Sequence, residues 1–196
     1  GKNLLTLYDL TGKEKYAKAT SRIYQQILEM PRTKEGNFWH KMIYPNQVWL
    51  DGLYMAQPFY IEYEKRFNDK KNYEDIFHQF FEVEKNMKDK ETGLYYHAYD
   101  SERKMFWADK ETGLSRNFWL RSLGWFSMAL LDTLVLADKD YPDYGHLQQM
   151  YRDLIDSMLK FQSPEGMWYQ VPNFPGREKN YLETSGRSIL AYFLLK

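Results

Sequence analysis

The spacing of hydrophobic residues predicts a chain built almost entirely of helices. Seven segments repeat apolar positions every three or four residues, the period of an α-helix that buries one side. We place them at residues 2–10, 14–30, 47–67, 73–87, 118–137, 144–161 and 181–196. Pro31 follows the second segment and is a typical helix end.

The predicted helices are of two kinds. The segments at 14–30, 73–87 and 144–161 have one apolar and one charged face, as helices at a protein surface do. The segments at 47–67, 118–137 and 181–196 are apolar or small on nearly every side and must be covered on every side. The alternation therefore predicts inner and outer helices in turn, in an α/α toroid or solenoid.

A repeated motif lies in the long loops between outer and inner helices. "GNFWHKMI" begins at Gly36, "GLYYHAYD" at Gly93 and "GMWYQVPN" at Gly166. These loops should meet at one end of the inner helices, and long loops in compact helical proteins are usually functional. A second repeat, "DKETGL", begins at Asp89 and Asp109 and predicts a turn with a left-handed glycine.

Composition excludes several classes of function. Lysine plus arginine and aspartate plus glutamate both number 27, without a basic stripe, so we expect no nucleic-acid partner. No apolar run approaches the roughly 20 residues of a membrane span, and no signal peptide is visible. The absence of cysteine excludes disulfides and thiolate metal sites. The first residue is not Met and the last segment is apolar, so we expect both ends to be cut. The compartment (cytoplasm or periplasm) and the oligomeric state stay open.

One carboxylate stands in an unusually apolar stretch. "PNQVWLDGLYM" carries Asp51 among large apolar residues, and we expect it about one turn into the third helix, beside Gln47, Val48 and Met55. An apolar setting favours a protonated carboxyl that can donate its proton, whereas a helix N-terminus favours the anion. The sequence leaves that balance open. It also leaves open a structural role for Asp51, as a cap or as the partner of an arginine.

Other candidate residues converge on the same end. His40 and His97 hold equivalent positions in the repeated motif. Arg121 lies early in an apolar helix and needs an anion, for which Asp51, Glu183 or a substrate carboxylate would serve. A structural ion pair is as good an explanation of Arg121 as binding. The histidine pair has no suitably spaced third ligand, so we predict no metal site.

Four motifs, in order, resemble those of a known enzyme family. They are "FWHKMIYPNQVWLDGLYMAQPFY", "GLYYHAYD", "FWADKETGLSRNFWLRSLGWFSMALLD" and "GMWYQVPN…NYLETSG". Together they resemble the unsaturated rhamnogalacturonyl hydrolases, glycoside hydrolase family 105, and more distantly the unsaturated glucuronyl hydrolases of family 88. The resemblance spans Gly1 to Lys196. It implies an all-α fold, the (α/α)6 barrel or six-hairpin toroid, of which residues 1–196 would form a single partial catalytic domain, roughly the middle half.

The resemblance also implies a reaction and a set of site residues. The family hydrates the C4=C5 double bond of unsaturated galacturonyl-rhamnose from pectin rhamnogalacturonan, with no cofactor. Its W-x-D-G-L-[FY]-M motif makes Asp51 the catalytic proton donor. The residues that would bind the unsaturated uronyl oligosaccharide are His40, Lys41, Tyr44, Trp49, Met55, His97, Trp119, Arg121 and Trp125.

The chain departs from the family pattern in two places. The usual W-G-R-G or W-A-R-G reads Trp119-Leu120-Arg121-Ser122 here, and we expect the larger side chains to narrow the cleft or alter substrate choice. A second active-site aspartate of the family would lie a few residues upstream of Gly1. Three alternatives remain: an unsaturated glucuronyl hydrolase acting on glycosaminoglycan-type disaccharides, a non-catalytic oligosaccharide-binding α/α module, and a structural helical scaffold.

Overall fold

The computed structural model of the protein describes residues 1–196 as seven α-helices and two short strands. In chain order they are α1 (Lys2–Thr11), α2 (Glu14–Leu28), β1 (Gln47–Trp49), α3 (Leu50–Phe67), α4 (Tyr73–Met87), β2 (Ala98–Asp100), α5 (Leu120–Leu136), α6 (Tyr144–Lys160) and α7 (Thr184–Leu195). The predicted all-α class and all seven helices are confirmed. None of the helices has the length and apolar character that crossing a membrane requires.

Helix α5 is the centre of the packing. Twelve of its seventeen residues are buried, and it packs between α3 and α7. Each inner helix forms a hairpin with the outer helix that follows it, as α1 does with α2, α3 with α4 and α5 with α6. The outer helix α2 buries Thr20 alone. The packing of α5 against both α3 and α7 confirms the predicted row of inner helices, with α2, α4 and α6 outside it.

Several predicted helix boundaries are wrong by two or three residues. Residues Gln47–Trp49 are not helical but form β1, which pairs antiparallel with β2, Val48 opposite Tyr99. This pairing joins two segments far apart in the chain, and such non-local contacts override local helical spacing. Helix α2 ends at Leu28 rather than at residue 30, α5 begins at Leu120 rather than at 118, and α7 begins at Thr184 rather than at 181.

The repeated motif closes the N-termini of two inner helices. The first N–H groups of a helix lack partners inside it and must find them elsewhere. The N–H of Leu50, the first residue of α3, donates to the carbonyl of His97 at 3.1 Å, and that of Leu120, the first residue of α5, donates to Gln170 at 2.9 Å. His97 and Gln170 hold the same position in the repeat. These two repeats thus each fix a long loop to the start of an inner helix.

The "DKETGL" turns form as predicted. The Asp109 carboxylate accepts hydrogen bonds from the N–H and hydroxyl of Thr112, at 2.7 and 2.9 Å, and Gly113 has φ of 80°. A Cβ on Gly113 would lie 2.4 Å from the carbonyl oxygen of Asp100. Both the left-handed backbone and the close approach to β2 therefore require glycine here.

The first long loop is tied to α4 by an ion pair. The Arg32 guanidinium donates to both carboxylate oxygens of Asp75, at 2.6 and 2.7 Å, and Gln79 donates to the carbonyl of Gly36 at 3.0 Å. Burial raises the pKa of Asp75, but the bonds and charge of Arg32 outweigh it and hold this pKa below its ordinary value. The loop that continues to His40 is therefore anchored on an outer helix.

A buried carboxylate joins α2, α3 and α4. Glu64, near the end of α3, is fully buried and accepts a hydrogen bond from the Tyr24 hydroxyl at 2.6 Å. The side chains of Asn68 and Asn72 and the N–H of Asn72 also donate to it, at 2.9 to 3.0 Å. All of these neighbours donate hydrogen bonds to Glu64, and an ionised carboxylate can only accept them. The surroundings of Glu64 therefore suit a carboxylate.

We therefore expect Glu64→Gln to destabilise the protein by about 2–4 kcal/mol, since the new amide turns an N–H toward groups that also donate. The measurement is the free energy of unfolding in urea. The matched control is Glu62→Gln in the same helix, which removes only a partly exposed pair with Arg66 at 3.3 Å and should change stability by less than about 1 kcal/mol. Equal losses in the two variants would contradict the assigned role of Glu64.

Candidate functional site

Asp51 lies in the first turn of α3, at the end where the loops gather. It is half-buried, and its Oδ2 accepts a hydrogen bond from the hydroxyl of Ser122 on α5. The expected position one full turn into the helix is wrong, because Gln47 and Val48 belong to β1 and are not helical neighbours of Asp51. Asp51 also pairs with no arginine and caps no backbone group. It stands where α3 and α5 face each other.

Three rings form a parallel array beside Asp51. The Trp49 ring lies 4.8 Å from that of His40, at an interplanar angle of 9°, and 5.7 Å from that of Tyr44, at 6°. The His40 and Tyr44 planes differ by 4°. Such aligned rings offer flat apolar faces of the kind on which a sugar ring stacks.

His97 stands edge-on to this array and links it to α5. Its ring lies 6.1 Å from that of Trp49, at 86°, and 6.1 Å from that of Trp119, at 81°. Its Nδ1 lies 3.0 Å from the carbonyl oxygen of Asn117. The hydroxyl of Ser115 also lies 3.1 Å from Nδ1, whereas Nε2 has no hydrogen-bond partner in the protein.

The surroundings of His40 lower its pKa. Burial lowers the pKa of His40, the negative charge of Asp51 raises it, and the positive charge of Lys41 lowers it, with burial the largest effect. Its Nδ1 is buried without a hydrogen-bond partner and faces Gly52. These surroundings favour the uncharged form of the imidazole that stacks on Trp49.

The remaining residues of the first loop differ in their exposure. Lys41 is exposed, with its amine 5.6 Å from the centre of the Tyr44 ring. Met55 is 61% exposed and lies one turn after Asp51. With His40 and Trp49, Met55 lines a cavity of about 230 Å³ between α2 and α3. This cavity adjoins the array on the side away from α5.

The structure does not form the structural ion pair that was one of the two explanations of Arg121. Its guanidinium lies 4.8 Å from the centre of the Trp119 ring, and no carboxylate is within salt-bridge distance. Glu183 caps α7 instead, accepting from the N–H groups of Ser185 and Gly186 at 2.9 and 2.6 Å. Burial raises the pKa of Glu183, but these bonds and the charge of Arg121 hold it below its ordinary value. Arg121 is exposed and free to bind an anion.

The two departures from the family motif do not line the cleft. Leu120 and Ser122 are both fully buried, so the expected narrowing by their side chains is wrong. Leu120 packs on α7, where a Cβ on Gly186 would meet it at 2.6 Å. Ser122 is the site residue that sequence reasoning missed, because its partner Asp51 is 71 positions away. Trp119 precedes α5 rather than lying within it, and Trp125 packs against Tyr54 with ring centres 5.0 Å apart.

The candidate residues therefore form one group at the loop end, from which two are set apart. His40, Lys41, Tyr44, Trp49, Asp51, His97, Trp119 and Arg121 are connected through the contacts above. Met55 and Trp125 lie one turn further along their helices. No three histidine, aspartate or glutamate side chains are arranged to hold a metal ion.

The inner and outer helices alternate and the long loops gather at one end, which is the arrangement of an α/α toroid. Its loop end holds the aromatic residues and the carboxylate of Asp51. The sequence profile described as Glycosyl Hydrolase Family 88 matches residues 1–196. The chain therefore belongs to this family of glycoside hydrolases, which confirms the resemblance to families 105 and 88.

Individual relatives agree with this assignment. The chain is 27% identical to the unsaturated rhamnogalacturonyl hydrolase YesR of Bacillus subtilis, over 100% of its own length and 56% of that protein's. It is 36% identical to protein Atu3128 of Agrobacterium fabrum, over 72% of its length and 60% of that protein's. The chain thus spans little more than half the length of these relatives.

Solved structures share the fold over nearly the whole chain. A family 105 glycoside hydrolase of C. acetobutylicum superposes with a TM-score of 0.97 at 49% identity, covering 99% of this chain and 54% of that one. The unsaturated glucuronyl hydrolase of Bacillus sp. GL1 superposes with a TM-score of 0.72 at 14% identity, over 96% of this chain and 51% of that one. The second likeness concerns the fold alone.

We expect the imidazole of His40 to titrate below the ordinary histidine value of 6.5. His40 has a lower pKa in the folded than in the unfolded state, so its neutral form contributes stability that is complete above the unfolded-state pKa. That contribution is lost as the pH falls through the folded-state pKa. NMR titration of the His40 ring measures this. Asp51→Asn should lower the His40 pKa further, because it removes a negative charge that raises it. A His40 pKa at or above 6.5 would contradict the assignment.

Proposed function

We propose that this chain carries the catalytic acid of an enzyme that hydrates the C4=C5 double bond of an unsaturated uronyl sugar, with unsaturated galacturonyl-rhamnose from pectin rhamnogalacturonan as the substrate. The observation that carries the proposal is Asp51, a half-buried carboxylate beside the Trp49 array with only one hydrogen bond to the protein. Two relatives support the substrate class by name: YesR and the unsaturated 3S-rhamnoglycuronyl hydrolase of Formosa agariphila, the latter 30% identical over 61% of this chain.

In the proposed reaction Asp51 acts first as an acid and then as a base. Its proton goes to C4, the double bond opens, and the positive charge at C5 is shared with the ring oxygen. Water adds to C5 and returns a proton to the carboxylate. The resulting hemiketal opens to a ketone at C5, and the former ring oxygen becomes a hydroxyl on C1. This hemiacetal then collapses: the hydroxyl becomes an aldehyde at C1, and its proton leaves with the rhamnose-bearing alcohol. One water is consumed, and the acid is regenerated.

The surrounding side chains have matching roles in this proposal. Trp49, Tyr44 and His40 offer stacking faces for the sugar rings. The exposed cations Arg121 and Lys41 bind the uronate carboxylate through charge-assisted hydrogen bonds. Nε2 of His97 accepts a hydrogen bond from a sugar hydroxyl.

Asp51→Asn should lower kcat at least about a thousandfold, because the amide cannot donate an acidic proton. The Kd for the substrate should change less than about fivefold. The assay is loss of the ultraviolet absorbance of the C4=C5 bond in the full-length protein. Asp140→Asn is the matched control, since Asp140 is exposed beyond the far end of α5 and should leave turnover unchanged.

The same assay separates the alternatives. A saturated uronide should not react, because it has no double bond to protonate. Turnover of unsaturated glucuronyl disaccharides in place of galacturonyl-rhamnose would change the substrate and keep the chemistry. If the folded wild-type protein binds these sugars tightly but turns over neither, the proposal that it is an enzyme is overturned. The protein would then be a carbohydrate-binding module.

Arg121→Gln should raise KM by about 10- to 100-fold, the range expected when a charged hydrogen bond to a carboxylate is lost. The matched comparison is the methyl ester of the same substrate, which has no carboxylate for Arg121 to bind. The ester should show similar KM values with wild type and variant. If KM rises equally for the acid and the ester, Arg121 does not bind the uronate carboxylate.

A further inference from the structure

We infer that Ser122 is the positioning residue for the Asp51 carboxylate and directs the acidic proton to Oδ1. The inference rests on the proposed function of Asp51. Ser122 lies in the first turn of α5, is fully buried, and donates its hydroxyl hydrogen to Oδ2 of Asp51 across the α3–α5 contact. It is the only side chain that forms a hydrogen bond with Asp51.

The Ser122 hydroxyl has no acceptor inside its own helix, because Phe118, four residues earlier, precedes α5. Helical serines commonly donate to the carbonyl four residues earlier. Ser127, on the same helix and also fully buried, does so, with its Oγ 2.8 Å from the Leu123 carbonyl oxygen. Ser122 instead points across to α3. Its hydroxyl is therefore committed to a side chain and not to its own helix.

The bond distinguishes the two oxygens of Asp51. Ser122 Oγ has no acceptor other than Oδ2, so a Ser122 that accepted a proton from Oδ2 would leave its own hydrogen buried without a partner. The hydroxyl therefore donates to Oδ2 whether Asp51 is charged or neutral. When Asp51 is protonated, the proton lies on Oδ1, which accepts no hydrogen bond from the protein. Oδ1 is thus the atom that would deliver a proton to C4.

This geometry has two consequences for catalysis. It holds one rotamer of Asp51 against the most buried helix of the protein, so Oδ1 keeps a fixed direction. It also stabilises the anion, because a hydrogen bond to a carboxylate favours the charged form. His40 is the ionisable group whose charge interacts with Asp51 from the first loop, and no charged group on α5 pairs with it.

The test compares Ser122→Ala with Ser127→Ala in the full-length protein. Both remove one buried hydroxyl from α5, but only the first touches Asp51. For Ser122→Ala we expect kcat to fall about tenfold with KM within about twofold. Ser127→Ala should match wild type in kcat and in KM.

A double-mutant cycle on thermal stability tests the contact without activity. If Ser122 and Asp51 interact, the loss of Tm in Asp51→Ala combined with Ser122→Ala should be smaller than the sum of the two single losses. Additive losses, or a Ser122→Ala enzyme with wild-type kcat, would overturn this inference and leave the proposed function standing. A wild-type protein with no turnover of unsaturated uronides would overturn both.

Discussion

The contact between α3 and α5 is the interaction on which the rest of the structure depends. Helix α5 is buried along most of its length, so its position is set by apolar packing on both sides. This packing places the first turns of two parallel helices side by side. The two side chains that meet there, Asp51 and Ser122, are brought together by a core that makes no use of their polarity. The site is therefore as rigid as the core beneath it.

The loops depend on the same helices for their positions. A helix begins with N–H groups that need partners, and the carbonyls of His97 and Gln170 supply them for α3 and α5. The backbone of each loop is thus fixed by the helix whose N-terminus it closes. His97 consequently has two roles: its carbonyl closes α3, and its ring borders Trp49. The residue that closes the N-terminus of α3 therefore also forms part of the cleft.

The sequence predicted the features that local patterns determine. Amphipathic spacing identified the seven helices, and the all-apolar segments identified α3 and α5 as inner ones. It did not predict β1 and β2, because three residues are too few for a strand pattern and their pairing is non-local. For the same reason it placed Asp51 too deep in α3. Ser122 was noticed as a departure from a motif, but its contact depends on the relative rotation of two helices, which no local pattern contains.

Arg121 shows how the structure changes the meaning of a residue. An arginine in an apolar segment needs an anion, and the fold offers Glu183 as the obvious internal partner. Glu183 is instead committed to two backbone N–H groups at the start of α7, where a helix N-terminus stabilises its charge. Neither Glu183 nor Asp51 comes within salt-bridge distance of Arg121. Its guanidinium thus stays exposed against Trp119, a cation held beside an aromatic surface with no anion of its own.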